Sequence, residues 1–245
     1  ADICHEHIIQ DALNNFRPDA IFHLAAESHV DRSIESPGEF IKTNINGTYN
    51  LLTASLSYWE SLDGSKKENF RFIHVSTDEV YGSLDLDQRP FNEASSYKPN
   101  SPYSASKASS DHLARAWHKT FKFPSIVTNC SNNYGPFQSV DKLIPLTIKN
   151  ALNGFDIPVY GDGKQIRDWL YVDDHANALI SVLDKGAIGE TYCIGGNSEI
   201  PNIEVVNMIC NIVGNLKNKD LKGHIKFISD RPGHDLRYAI DSSKL

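Results

Sequence analysis

The feature that most constrains the fold of this chain is an alternation of amphipathic helices with short buried strands. Apolar residues recur at helical spacing over residues 8–16, and residues 19–26 then form a mostly apolar run typical of a buried strand. The same order repeats in a helix that starts at Pro37 and ends near residue 59, followed by a strand over residues 70–75. This alternation predicts an α/β fold built on a parallel sheet.

The pattern continues beyond these units and then loosens. The segment 63–69 is polar and is predicted to be a solvated loop. Further elements are predicted as follows: a helix over 103–121, strands over 125–130, 157–160, 166–172 and 190–194, and helices from about Lys142, Asp173 and Asn202.

Composition narrows the class of protein. The chain has 24 basic and 31 acidic residues, a net charge of -7, which argues against a nucleic-acid or membrane-surface partner because either needs a basic patch. No apolar run of 18 residues and no signal peptide is visible, so a cytoplasmic location is expected. The four cysteines lack a Cys-x-x-Cys pattern and are expected to be free thiols. Residues 4–7, Cys-His-Glu-His, point in four directions on a helix, so no metal site is expected.

Two groups of residues suggest the chemistry. Thr77, Asp78 and Glu79 follow the strand over residues 70–75, at the sheet edge where ligands bind in open α/β proteins. Tyr103 and Lys107 are four residues apart, on one face of a predicted helix, so the ammonium is expected to lower the tyrosine pKa from about 10 toward neutrality. A redox Tyr/Lys pair beside adjacent carboxylates indicates dehydration rather than simple oxidation. The alternatives are an exposed helix face and a capped turn with a solvated Glu79.

These motifs resemble the extended short-chain dehydrogenase/reductase superfamily and, within it, the dTDP-glucose 4,6-dehydratases. The Asp78-Glu79 pair separates that group from the related epimerases and decarboxylases. The matching segments run through the whole chain: Asp2-Ile3-Cys4, residues 23–31 (HLAAESHVD), 77–79 (TDE), 129–136 (NCSNNYGP), 142–145 (KLIP), 167–174 (RDWLYVDD) and 230–235 (DRPGHD).

The resemblance implies a Rossmann-like, doubly wound parallel sheet with a smaller, interleaved α/β substrate lobe. Residues 1–135 would form the NAD-binding domain and residues 136–245 mainly the sugar-nucleotide lobe, with residues 165–185 returning to the first domain. The family's glycine-rich cofactor turn is not found, and Gly161-Asp162-Gly163 is interpreted as an ordinary turn. We therefore expect the sheet to lack its first βα units, on the order of 55 residues, as in an N-terminally truncated member.

The resemblance also implies the reaction and its residues. Tyr103 would be the base for oxidation of the sugar C4 hydroxyl by NAD, Lys107 would tune it and Thr77 would bond the C4 oxygen. Glu79 would remove the C5 proton and Asp78 would protonate the departing C6 hydroxyl. The implied NAD contacts are Asp2, Ile3, Leu24, Ala25, Ala26, Glu27, Ser28, Thr43, Tyr103, Lys107 and Asn133. The implied contacts with the substrate, dTDP-glucose, are Ser28, Thr77, Asn132, Lys142, Leu143, Pro158, Val159, Tyr160, Arg167, Asn202, Asp230, Arg231, Pro232, Gly233 and His234.

Family members of this fold pair as homodimers through two helices on each subunit, which here are residues 37–59 and the Tyr103 helix. The candidates for the apolar seam are Ile45, Tyr49, Leu52, Leu56, Leu113, Ala116 and Trp117. Two other interpretations stay open. One is a related NAD-dependent dehydratase or decarboxylase of UDP- or GDP-sugars, and the other is an inactive fragment of such an enzyme.

Overall fold

The computed structural model describes residues 2–245, which form nine α-helices and nine strands. The helices are α1 (Glu6–Phe16), α2 (Val30–Glu35), α3 (Pro37–Phe40), α4 (Thr48–Glu60), α5 (Gly64–Asn69), α6 (Pro102–Phe121), α7 (Leu143–Asn153), α8 (Val172–Lys185) and α9 (Asn202–Lys217). The strands are β1 (Ala20–His23), β2 (Arg71–Thr77), β3 (Ser125–Cys130), β4 (Asn132–Tyr134), β5 (Ile157–Tyr160), β6 (Ile166–Tyr171), β7 (Thr191–Ile194), β8 (Glu199–Pro201) and β9 (Ile225–Ile228).

The main sheet has the order β1-β2-β3-β7, and all its strands are parallel. Successive side chains of β2 point to opposite faces, and both faces are covered. Phe72 packs in a cluster with α1 and α4, whereas Ile73 packs in a second cluster with Leu179 and Val182 of α8. Helices on both faces of a parallel sheet confirm the predicted Rossmann-like fold.

The smaller lobe consists of two minor sheets and a pair of helices. One sheet has the order β4-β6-β8, with β4 and β6 parallel and β6 and β8 antiparallel, and the other pairs β5 with β9 in parallel. Helices α7 and α9 pack together over Ile157 and Val159. The chain crosses between the two parts more than once, since both α8 and β7 belong with the main sheet.

Three local predictions differ from the structure. The strand expected over residues 19–26 is only the four residues of β1, and Leu24 beyond it is 58% exposed. The segment 63–69 contains the short helix α5 rather than a solvated loop. The helix that starts at Pro37 is interrupted by a π-helical segment, Ile41–Gly47, before it continues as α4. The spacing of apolar residues does not show whether backbone hydrogen bonds follow an α-helical or a π-helical pattern, so the sequence did not predict this segment.

The prediction for the cysteines agrees with the structure. All four cysteines are free. No group of three or more His, Cys, Asp or Glu residues arranged to hold a metal ion occurs among residues 2–245. None of the helices in the described part of the chain is long and apolar enough to span a membrane. The histidines of β1 and β2 are both buried, and each has one ring nitrogen in hydrogen bonds, His23 with Thr48 and His74 with Ser110 and Asp111.

Candidate active site

Asp78 and Glu79 lie in a tight turn that directly follows β2. Thr77 caps the 3₁₀ turn Asp78–Tyr81, since its hydroxyl accepts a hydrogen bond from the Glu79 amide at 3.3 Å. Gly82 closes the turn at a φ of 86°, and a Cβ there would lie 2.3 Å from the Lys98 carbonyl oxygen. The capping interpretation of Thr77 is therefore correct, but Glu79 is not solvated because it is half-buried and lines a cleft.

The two adjacent carboxyl groups have different environments. Asp78 is 1% exposed; one oxygen accepts a hydrogen bond from Thr77 at 3.3 Å and the other is buried without a partner. Burial, together with the charge of Glu79, raises the pKa of Asp78 well above its ordinary value. Burial also raises the pKa of Glu79, but the positive charges of Arg231, Arg167 and Lys142 oppose that effect. Asp78 is therefore the carboxyl group that stays protonated, and Glu79 the one that ionises more readily.

Helix α6 brings Tyr103 and Lys107 to the same edge of the sheet. A capping box between Ser101 and Ser104, with Pro102 in the first turn, defines the start of the helix. Tyr103 and Lys107 are 8% and 4% exposed, which excludes the exposed-face interpretation. The Lys107 ammonium donates a hydrogen bond to the Val75 carbonyl of β2 at 2.9 Å.

The expected effect of Lys107 on Tyr103 is absent from this structure. Burial, followed by the negative charge of Glu79, raises the pKa of Tyr103 well above its ordinary value. Burial likewise lowers the pKa of Lys107, although Asp111 opposes that shift. The prediction of a tyrosine pKa lowered toward neutrality is therefore wrong, because burial disfavours the phenolate and the negative charge of Glu79 disfavours it further.

A cleft of about 250 Å³ extends from Glu79 toward the smaller lobe. Most of the substrate contacts expected from the sequence line it: Ser28, Asn132, Lys142, Leu143, Pro158, Val159, Tyr160, Arg167, Asn202, Arg231 and His234. Asn133, expected at the cofactor, also lines it. Four of the expected substrate residues do not line the cleft: Thr77, Asp230, Pro232 and Gly233. Asp230 nevertheless forms a hydrogen bond of 2.6 Å with His234, which does line it.

The cations of this cleft are unusually desolvated. Arg167 is 5% exposed, its guanidinium lies 4.3 Å over the Tyr238 ring, and it donates to the Asp235 carbonyl oxygen at 3.0 Å. No carboxylate of the described residues lies within 4.0 Å of it, so Arg167 is not part of a surface salt bridge. Arg231 has one ion pair, 3.6 Å from Asp31, and its Nε is buried without a partner. A buried cation without a counter-ion is costly, which favours binding of an anion.

Most of the other residues expected at the cofactor lie near the end of β1, at the same carboxyl edge of the sheet as the end of β2. Leu24 and Ala25 are exposed there, and Ala26 and Glu27 are half-buried. Thr43 is half-buried in the π-helical segment, and the Asn133 amide oxygen accepts a hydrogen bond from His175 Nδ1 at 2.8 Å. At the N-terminus, the Asp2 carboxylate accepts from the Cys4 amide at 2.8 Å, and the Ile3 side chain lies against Gly47. The Ser28 carbonyl accepts from Lys142 at 2.9 Å, which links this edge to the cleft.

Sequence reasoning missed several residues at these sites. Asn44, in the π-helical segment, bonds both the amide and the carbonyl of Glu27 and also Ser106 of α6, so it ties the β1 loop to the Tyr103 helix. Asp31 accepts a hydrogen bond from Tyr160 across the cleft at 3.0 Å, and Tyr238 supports Arg167. Asp31 and the neighbouring His29, which also lines the cleft, belong to the motif of residues 23–31, so that motif could have indicated both of them. Nothing in the local pattern indicated Asn44 or Tyr238.

Comparison with known proteins gives consistent results. A family model described as GDP-mannose 4,6 dehydratase matches residues 1–245. A dTDP-glucose 4,6-dehydratase of Neisseria meningitidis serogroup B is 56% identical over 250 residues, covering 100% of this chain and 70% of that protein. A dTDP-glucose 4,6-dehydratase structure from Streptomyces venezuelae, with NAD and the ligand TYD bound, has a TM-score of 0.88 at 43% identity, covering 100% of this chain and 70% of that one. The NAD complex of Thermus thermophilus UDP-glucose 4-epimerase has a TM-score of 0.87 at 25% identity, covering 100% and 76%.

The fold and the cleft thus define a Rossmann-like protein with a carboxylate pair beside a Tyr/Lys pair. The chain belongs to the GDP-mannose 4,6 dehydratase family. Within that family, the high identity over the whole chain confirms the resemblance to the dTDP-glucose 4,6-dehydratases.

The raised pKa of Asp78 predicts a pH-dependent effect of Asp78→Asn on stability. The folded state holds a proton on Asp78 that the unfolded state loses near its ordinary pKa of 3.8, so this residue destabilises the fold progressively above that pH. Asparagine stays neutral, so the free energy of unfolding of the variant, relative to that of the parent, should increase with pH. The increase should be up to ~1.4 kcal/mol per pH unit between pH 3.8 and the raised pKa of Asp78. Urea unfolding at pH 4, 6 and 8 measures it, with the exposed Asp87→Asn as control. A gain that does not change with pH would contradict the protonated state of Asp78.

Proposed function

We propose that this protein catalyses the NAD-dependent dehydration of dTDP-glucose to dTDP-4-keto-6-deoxyglucose. The observation that carries the proposal is the pair of adjacent, desolvated carboxyl groups, Asp78 and Glu79, at the same sheet edge as Tyr103 and Lys107. A simple dehydrogenase needs only the second pair. Elimination of water additionally needs one acid and one base, and these neighbours differ in how readily they ionise.

The order of steps follows from the chemistry of the sugar. The C5 hydrogen of a hexose is not acidic, so a carboxylate cannot remove it at neutral pH. Oxidation at C4 places that hydrogen next to a carbonyl group, after which Glu79 acts as the base and Asp78 donates its proton to the leaving C6 hydroxyl. The higher pKa of Asp78, caused by deeper burial and by Glu79, suits it to be the acid. The three cations facing Glu79 suit it to be the base.

A bound NAD would accept the hydride from C4 and return it to C6, and the chain's residues fit such a group. Lys107 has three N–H donors and one protein acceptor, Val75, which leaves two donors for ribose hydroxyls. Tyr103 lies one turn away on α6, and the exposed Leu24 and Ala25 border an open edge of the sheet. The raised pKa of Tyr103 means that its phenol stays protonated until a ligand changes its surroundings.

The nucleotide diphosphate fits the cleft between the lobes. Its negative charge would compensate Arg167 and the buried Nε of Arg231, with Lys142 beside them. These cations focus positive potential locally although the protein as a whole has a net charge of -7. Leu143, Pro158 and Val159 supply the apolar part of the wall, which suits a nucleobase.

A second candidate is dehydration or decarboxylation of a UDP- or GDP-sugar. The observation that favours it is the matching family model, whose description names GDP-mannose. A panel of dTDP-, UDP- and GDP-linked hexoses, assayed at equal concentration for loss of water, separates the two. Turnover of dTDP-glucose at least tenfold faster than the others supports the first proposal, and preference for another nucleotide overturns it.

The roles of the two residue pairs are separable in single turnover. Glu79→Gln should still allow oxidation at C4 but stall the elimination, because it removes the base for the C5 proton. Rapid mixing with dTDP-glucose should then accumulate the absorbance of the reduced cofactor. Tyr103→Phe should give no such absorbance, because the first step fails. Turnover of Glu79→Gln at the parent rate would show that another group removes the proton.

Arg167→Ala should raise the KM for dTDP-glucose by roughly 10–100-fold, which corresponds to the ~1.5–3 kcal/mol of a charged hydrogen bond. The value of kcat should also fall, because Arg167 is one of the cations that favour the ionised form of Glu79. It should fall less than kcat/KM, because the diphosphate lies far from the reacting carbons. Lys164→Ala is the matched control, since that cation is exposed and paired with Asp162 outside the cleft. An unchanged KM in folded Arg167→Ala would remove this residue from the substrate site.

A homodimer and a cytoplasmic location complete the proposal. Tyr49 of α4 and Phe121 of α6 are 49% and 46% exposed, and Trp117 packs edge-on between them, with ring centroids 5.9 and 5.5 Å away. Among the candidate seam residues, Ala116 is also exposed, whereas Leu52 is fully buried against the main sheet and so does not contribute. An exposed aromatic row on two adjacent helices suits a helical interface. The four free cysteines agree with a reducing compartment.

Ala116→Glu tests the dimer. The parent protein should sediment with the mass of two chains at tens of micromolar, and the variant with the mass of one, because a carboxylate would be desolvated in the seam. Gln10→Glu, an exposed position on α1, should leave the mass unchanged. A monomeric parent, or a dimeric Ala116→Glu, would count against this interface.

A further inference from the structure

Behind Tyr103 and Lys107 lies a fully buried carboxylate that the reaction scheme does not use. Asp111 is 0% exposed and lies one helical turn beyond Lys107 on α6. Its oxygens accept hydrogen bonds from His74 Nε2 at 3.0 Å, from the Tyr97 hydroxyl at 2.7 Å and from the Asn129 amide at 2.9 Å. A carboxylate that accepts three donors in a dry interior is held in its charged form.

Lys107 and Asp111 form hydrogen bonds with consecutive residues of β2. The Lys107 ammonium donates to the Val75 carbonyl, and the Asp111 carboxylate accepts from the His74 ring. The two charges form no direct ion pair within 4.0 Å, so Asp111 acts on Lys107 through the low-dielectric interior and through their shared strand. A buried ammonium with a single neutral acceptor needs such a compensating charge to stay protonated.

The other titratable and charged groups around Lys107 do not replace that charge. His74 and His23 have pKa values lowered by burial, so both rings are neutral near pH 7. Burial raises the pKa of the Cys130 thiol to about 12. The three remaining neighbours are not anions. Tyr103 and Asp78 are protonated because burial raises their pKa values, and Arg115 is a half-buried cation that donates to the Tyr97 hydroxyl at 2.6 Å. Asp111 is therefore the buried group that stays anionic next to Lys107 among these residues.

We propose that Asp111 is a positioning residue that keeps Lys107 protonated and fixed against β2, through the bonds from His74, Tyr97 and Asn129. This inference rests on the proposed function, in which Lys107 serves Tyr103 as a cation. Loss of the Asp111 charge removes the counter-charge of the ammonium. Lys107 then loses its proton at a lower pH, and with it the ability to stabilise a phenolate.

The first experiment measures Lys107 directly, without substrate or cofactor. In protein labelled with ¹⁵N-lysine, the Lys107 Nζ resonance, assigned by its absence in Lys107→Met, is followed against pH. In Asp111→Asn the titration should move to lower pH by about 1–3 units, the shift that an opposite charge produces. Tyr97→Phe is the matched control, because it removes one bond to Asp111 but no charge, and should move it by much less. Equal titrations in Asp111→Asn and Tyr97→Phe would overturn the proposal.

A second variant keeps the test decisive if Asp111→Asn does not fold. Electrostatic coupling is reciprocal, so Lys107→Met should raise the pKa of the Asp111 carboxyl, read from its ¹³C resonance. An unchanged Asp111 titration in that variant would equally overturn the proposal.

Activity then links the coupling to the reaction. With dTDP-glucose, kcat of Asp111→Asn should fall with rising pH about 1–3 units earlier than kcat of the parent, whereas Tyr97→Phe should retain the parent profile. A purely structural role would lower stability in both variants without moving the pH profile. If the titration moves but the parent protein does not convert dTDP-glucose, the proposed function fails and the coupling stands. If the parent converts dTDP-glucose but the profiles coincide, the role of Asp111 fails alone.

Discussion

The attachment of α6 to β2 is the interaction on which the rest of the site depends. Lys107 bonds the Val75 carbonyl and Asp111 bonds the His74 ring, so two successive helical turns are joined to two successive strand residues. Val75 lies only two residues before Thr77, where the strand ends and the turn with Asp78 and Glu79 begins. The redox pair and the carboxylate pair are therefore positioned by the same short stretch of β2. Any shift of α6 along the sheet would separate them.

Desolvation sets the electrostatics of this region more strongly than any single ion pair. It raises the pKa values of Asp78, Glu79 and Tyr103 and lowers that of Lys107. Burial thus favours the neutral forms of the two carboxyl groups and the tyrosine, and buried cations lie at the other end of the cleft. The same cations that line the cleft, Arg231, Arg167 and Lys142, also lower the pKa of Glu79, so they act on both ends of the cleft.

Much of the fold and part of the site could be predicted because they depend on local patterns. The order of β1, β2, β3 and their helices follows from apolar periodicity, and the positions of Thr77, Tyr103 and Lys107 follow from their place at strand and helix ends. The π-helical segment and Asn44 could not be predicted, because a change in backbone hydrogen-bond register leaves the apolar pattern unaltered. The direction of the Tyr103 pKa was predicted wrongly, since spacing reveals a neighbouring charge but not the degree of burial.

The sequence by itself determined the α/β class, the family resemblance and the identity of the residues that carry the chemistry. Each of these can be recognised from local patterns or short continuous motifs. Only the tertiary structure decided which of these residues face one another. Arg167, Asp235 and Tyr238 come from β6 and the C-terminal segment, yet they form one desolvated cation site through a bond to the Asp235 carbonyl and a stacked ring. Asp31 and Tyr160 likewise meet across the cleft from different lobes. Such contacts depend on how sheets and helices pack over long sequence distances. Burial, the largest influence on the pKa values of Asp78, Glu79, Tyr103 and Lys107, exists only after that packing is complete.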